Sequence, residues 1–141
     1  EVVGLINDVA EVGSFIGRKK KNYELYKELF EGFEYGDLMP FRSGTDSNKW
    51  FYSININRDR IKDTMREIIT TLHDKGIETR AIWGLINEQK PYEGEETYEL
   101  EKAPYYANRI LNIPSSTQIT EEEIRYVAEQ VKQLLRILAN G

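Results

Sequence analysis

The chain has 141 residues, 40% hydrophobic and 30% charged, with a formal net charge of −5; this length suits one compact domain, and from this composition neither a membrane span nor a disordered tail is expected. An acidic balance disfavours a general nucleic-acid binder, which needs a basic face. With no cysteine and one histidine, His73, disulfides, thiolate metal sites and histidine-rich metal sites are excluded, and histidine-centred catalysis has a single candidate.

The first residues, EVVGLINDVAEV, carry acids in a helical pattern rather than a basic start and an apolar run, so no secretory leader is expected. The chain starts without methionine in what reads as mid-helix, and we expect it to be a piece of something longer. Apolar residues at Leu5, Ile6, Val9, Val12 and Ile16, then Tyr23, Tyr26, Leu29 and Phe30, predict one long helix or two. Gly13 and Gly17, each costing a helix roughly 1 kcal/mol relative to alanine, mark where a break would fall. The basic run Arg18 to Lys21 spreads around such a helix, which favours a solvated face over a phosphate site.

The helix should end near Gly32 to Gly36, and DLMPF (37–41) reads as an edge or turn segment because of Pro40. RSGTDSNK (42–49) is a loop. WFYSINI (50–56) is the clearest strand, with Trp50, Tyr52, Ile54 and Ile56 on one face and Phe51, Ser53 and Asn55 on the other, one of the two faces being core. Asn57 is the expected cap of the next helix, whose stripe is Ile61, Met65, Ile68, Ile69 and Leu72, with Gly76 as its left-handed stop. His73 falls in its last turn, where the helix dipole favours a cation.

Ile77, Thr79 and Ala81 alternate with Glu78, Arg80 and Ile82, predicting a short strand closed by Gly84. Residues 93–103 are an acid-rich loop anchored by Tyr98 and Leu100. Pro104 suits the first turn of a short helix, APYYANRIL, followed by a brief extended piece at Asn112 to Pro114. Thr120 and Glu123 make a capping box for a terminal helix through Ile124, Val127, Val131, Leu134, Leu135 and Leu138. The expected fold class is α/β, with α+β as the alternative: a small sheet of about three strands packed with helices. The strands flanking the helix that follows Asn57 would be parallel neighbours unless another strand lies between them.

Candidate chemistry concentrates after the strand ending at Gly84. Arg80 can offer its fork to a carboxylate or phosphate, and Trp83 can stack on a sugar or ring; the alternatives are an internal salt bridge and packing. Asn87 and Gln89 both donate and accept, Lys90 can neutralise a phosphate, and Tyr92, Tyr98, Tyr105 and Tyr106 add a local density of phenols. Glu121 to Glu123 are explained by capping and the macrodipole. Neither a dinucleotide nor a P-loop glycine pattern is present, and Ser115 to Thr117 have no nearby histidine.

GIETRAIWGLINEQKPY, with EKAPYYANRILNIPSSTQITEEEIRYV after it and SNKWFYSININRDRI and KKKNYELYKELFEG before it, resembles the C-terminal domain of the pyridoxal-phosphate sugar aminotransferases of the DegT/DnrJ/EryC1/StrS family. Within it the chain is most similar to the legionaminic acid and bacillosamine branch. The resemblance covers nearly the whole chain, weakening toward Glu1. It implies the small C-terminal domain of the aspartate-aminotransferase fold, with residues 1–34 a helical segment joining a large domain not in this chain. There the Schiff-base lysine holds pyridoxal phosphate, which carries an amino group from glutamate to a nucleotide-linked keto sugar for surface polysaccharide. It further implies a cytoplasmic homodimer when full length, and a substrate-binding set of Arg80, Trp83, Asn87, Gln89, Lys90 and Tyr92. Ala81 departs from a proline common there, and Ser115 from a frequent cysteine. No catalytic residue is expected in this chain, and alone it should be inactive. The rival readings are a stand-alone module binding a sugar phosphate or protein, and a structural domain with aromatics at an interface.

Overall fold

The computed structural model describes residues 2–141, with side chains from Val12 onward. The apolar positions Leu5, Ile6 and Val9 lie outside the described side chains. The elements are α1 (Val2–Phe30), β1 (Gly36–Leu38), β2 (Tyr52–Ile56), α2 (Met65–Asp74), β3 (Arg80–Ala81), α3 (Lys102–Ala107), β4 (Ile110–Ile113) and α4 (Glu121–Asn140). The first helix is one element, continuous through Gly13 and Gly17. An added Cβ at either glycine would meet nothing within 4 Å.

The four strands form one antiparallel sheet in the order β1-β2-β4-β3. β4 therefore separates β2 from β3, and the two strands that flank α2 run parallel without touching. The expected helix APYYANRIL stops at Ala107, and Ile110 and Leu111 go to β4 instead. A strand that pairs on both sides, Ile54↔Leu111 and Ala81↔Leu111, satisfies backbone groups that a helical extension would leave against the sheet edge.

Register sorts the faces. Tyr52, Ile54 and Ile56 stand with Leu111 and Ile113 on the inner face, all buried. Tyr23, Tyr26 and Phe30 of α1, Ile68 and Leu72 of α2, and Ile124, Val127, Val131 and Leu135 of α4 join them in one cluster. Trp50 does not belong to it: it precedes β2 and is 62% exposed. At Gly36 a Cβ would sit 3.0 Å from Ile54 Cγ2 and 3.3 Å from the Asn55 carbonyl, so the bare backbone is what lets β1 lie against β2 there.

Two helix starts are set by reciprocal caps. Thr120 accepts from the Glu123 N–H while the Glu123 carboxylate accepts from the Thr120 N–H, as expected. Thr64 and Glu67 do the same for α2. Asn57 is therefore not that cap: its side chain accepts from the Asp59 N–H and donates to the Glu34 carbonyl, holding a single turn. Ile61 closes that turn and is fully buried without being helical. Gly76, at φ 76°, ends α2 with Gly76 N–H donating to His73 O and Ile77 N–H to Leu72 O, the two bonds of a Schellman stop.

Candidate functional site

The outer face of the sheet carries the polar side of the strand alternation. Ser53 faces Asn112, which faces Arg80 across β3; Asn55 faces Asp37 on one side and Ile110 on the other. Ser53 Oγ donates to Asn112 Oδ1 at 2.6 Å, and Asn55 Nδ2 to Asp37 Oδ1 at 3.4 Å. Asn55 Oδ1 is buried without a partner. Arg80 is exposed and donates to Glu78 Oε1 at 2.7 Å, forming the internal salt bridge weighed above. The guanidinium's hydrogen bond and charge hold the Glu78 carboxyl below its usual range. One arm of the fork is thus occupied in water, where such a pair is weak and readily exchanged.

After Ile82 the chain folds back over this face. Ile82 N–H still donates to Ile110 O, at the far end of the sheet from Phe51. Yet the Trp83 ring lies edge-on to Phe51 with centroids 5.9 Å apart. Two short 3-10 turns follow, Ile86–Glu88 and Lys90–Tyr92. With the 93–103 segment they enclose a concavity of about 570 Å³ lined by Trp83, Asn87, Tyr92, Glu95, Tyr98 and Leu100 among others.

Of the expected binding residues, the structure thus brings Trp83, Asn87 and Tyr92 to one concavity. Arg80 lines a separate cleft of about 280 Å³ with Phe51, Asn112, Ser115 and Ser116. Gln89 and Lys90 are exposed on the loop and line neither. Tyr98 and Leu100 are not core anchors: they are 85% and 38% exposed. Tyr105 and Tyr106 pack edge-to-face, with Arg109 over Tyr105. Asn112 and Ser53 joined no binding set in the sequence, although period-2 alternation had already put Ser53 on the face opposite Tyr52, Ile54 and Ile56.

The basic run is spent on the fold. Lys20 pairs with Asp46 and Lys21 with Glu121, both at 2.7 Å. Lys19 Nζ donates to the carbonyls of Trp50 and Ser115, and burial lowers its pKa. Ser115 Oγ also donates to the Trp50 carbonyl, at 2.8 Å. His73 is exposed in the last turn of α2. Among the described residues no group of acids and histidines could hold a metal ion, and no helix is long and apolar enough to cross a membrane.

Several solved aminotransferases contain a unit of this fold. DesI, solved in the presence of its TDP-sugar product, superposes with a TM-score of 0.82 at 21% identity over 90% of this chain and 33% of that one. Spr1654 of Streptococcus pneumoniae, in its PLP form, gives 0.83 at 18% identity over 94% and 34%. Helicobacter pylori PseC, an aminotransferase involved in the biosynthesis of pseudaminic acid, gives 0.75 at 18% over 86% and 33%. The chain spans about a third of the length of each. No curated protein matches the sequence. The model of the DegT/DnrJ/EryC1/StrS aminotransferase family matches residues 4–132, and the chain belongs to that family.

Proposed function

We propose that this chain is the C-terminal, acceptor-facing part of a pyridoxal-phosphate-dependent sugar aminotransferase, a homodimer of the cytoplasm. The enzyme would move an amino group from glutamate to a nucleotide-linked keto sugar in surface-polysaccharide synthesis, of the legionaminic acid or bacillosamine type. The observation that carries this reading is the family match over residues 4–132. The surface supports it: Arg80 is exposed on the outer sheet face, and Trp83, Asn87 and Tyr92 line a concavity open to solvent. In this reading Gln89 and Lys90 reach the substrate from the loop tip, and residues 1–34 join the larger part of the enzyme.

The cofactor needs an amine for its covalent link, a carboxylate at the ring nitrogen and donors for its phosphate. The residues described here do not gather these groups. No lysine lines the Trp83 concavity, and Lys19 is part-buried and donates to two backbone carbonyls. We therefore assign the cofactor site to the larger part of the enzyme and derive no chemical step from this chain. Its own residues bind and orient the acceptor: Arg80 for an anionic group, Asn87 for hydroxyls, and Trp83 and Tyr92 for the flat faces of a sugar.

The test is to express the whole reading frame, record the absorbance of bound pyridoxal phosphate, and follow amino transfer from glutamate to nucleotide-linked keto sugars. Cofactor absorbance with transfer, and a higher acceptor KM in Arg80→Ala and Trp83→Ala, is the expected result. A protein with neither absorbance nor transfer overturns the enzyme reading and leaves a non-catalytic binding module.

A further inference from the structure

Trp50, Phe51 and Trp83 form an aromatic row that the core does not use. Trp50 and Phe51 stack with centroids 4.6 Å apart and planes 20° apart, and Phe51 meets Trp83 edge-to-face at 82°. Trp83 is 74% exposed and Phe51 37%, so with Trp50 the row presents contiguous ring surface to water, the kind of patch that interaction sites use. Trp50 is also held in place. Its carbonyl accepts from Lys19 Nζ and Ser115 Oγ, and its N–H donates to Asn48 Oδ1 at 3.1 Å. An exposed aromatic on a fastened backbone binds flat rings with little ordering left to do.

The geometry points to this row as the platform for the nucleobase of the nucleotide-linked acceptor. The inference rests on the acceptor-facing reading of the chain and adds Trp50 and Phe51 to it. Two features favour a base over an apolar protein anchor. The cleft beside the row sets the polar groups of Arg80, Asn112, Ser115 and Ser116 among apolar surface from Phe51, Ile113 and Pro114, so a stacked ring would find donors and acceptors at its edge. Trp83 is shared between the row and the larger concavity lined by Asn87 and Tyr92, so one molecule with a flat ring at one end and hydroxyls at the other touches both. Stacking itself tolerates any base; discrimination among bases falls to the Asn112 amide and the Ser115 hydroxyl.

The experiment uses the whole enzyme, with uridine and thymidine monophosphates as probes. Addition of either nucleotide should quench tryptophan fluorescence and inhibit competitively against the nucleotide-linked acceptor, whereas ribose 5-phosphate should do neither. Trp50→Leu and Phe51→Leu should each raise the acceptor KM and the nucleotide inhibition constant about tenfold, an effect on the scale of one lost base stack, and appear in KM rather than kcat. Unchanged constants in active variants overturn the platform. So does a change of oligomeric state in Trp50→Leu with nucleotide inhibition intact, which would make the row a subunit contact. If no variant folds, the fluorescence titration of the unaltered protein decides, absence of quenching overturning the proposal. If the enzyme proves to lack cofactor and transfer, the same titration still tests the row, so the two readings fail separately.

Discussion

Ser53 and Asn112 face each other across β2 and β4 on the outer side of the sheet, the serine hydroxyl donating to Asn112 Oδ1 at 2.6 Å. With its oxygen turned toward Ser53, Asn112 has its amino group left to donate beside Arg80, its cross-strand neighbour. In the whole enzyme, Asn112→Ala should raise the acceptor KM by several-fold, on the order of one lost neutral hydrogen bond. Ser53→Ala should raise it less, because it releases the amide without removing it. Steady-state kinetics on the two variants checks the ranking.

Tyr26 is fully buried, its ring 5.6 Å from Tyr52, and its hydroxyl has no hydrogen-bond partner. Tyr26→Phe should therefore stabilise the protein by about 1 kcal/mol, the desolvation of one unpaired hydroxyl. Chemical denaturation reads this directly, and a loss of stability would show that the hydroxyl is satisfied.

Burial also raises the pKa of Tyr26 and of Tyr52 well above the ordinary tyrosine value of 10.0. The folded state holds both protons where the unfolded chain releases them. Their contribution is thus fully present below pH 10 and lost progressively as pH rises above it. Alkaline unfolding should set in above pH 10 and be blunted in Tyr26→Phe.

Thr64 and Thr120 each accept through Oγ1 from the N–H three residues on, and the threonine's own N–H donates to the carboxylate returning from that position. Thr120→Ala should cost about 1 kcal/mol, and Thr64→Ala a similar amount. For the α2 box a pH signature follows. Hydrogen bonds from Thr64 lower the Glu67 pKa below 4.5, so its contribution is present above that pH and fades as pH falls through the depressed value. Thermal melts of Thr64→Ala and the unaltered protein should converge in acid.

Gly13 and Gly17 lie inside α1 with open space where a Cβ would point. In this chain by itself, alanine at either should raise stability by up to roughly 1 kcal/mol. If either substitution destabilises the whole enzyme instead, another part of the protein packs on that stretch of helix, and circular dichroism of both forms separates the cases.

The terminal helix, its capping box and the Gly76 stop were legible because each rests on local chemistry within four or five residues. The face assignment of Tyr52, Ile54 and Ile56 was legible for the same reason. What the sequence hid was set by distant partners. Ile110 and Leu111 fit a helical pattern until β2 and β3 claim their backbone. Trp50 fits the alternation of β2 but stands before the ladder begins. Tyr98 and Leu100 look like anchors by type, and nothing brings the core to them. Of the residues singled out in the sequence, Trp83, Asn87 and Tyr92 converge on one concavity, whereas the position of Asn112 beside Arg80 depends on a strand that runs between two others.

The Trp50 carbonyl accepts from Lys19, 31 residues before it, and from Ser115, 65 residues after it. One oxygen atom is thus the rivet for the long helix, the entry to the central strand and the turn that leaves β4. Lys19 thus ties α1 to the backbone that carries the exposed indole by a link that does not pass through the hydrophobic interior.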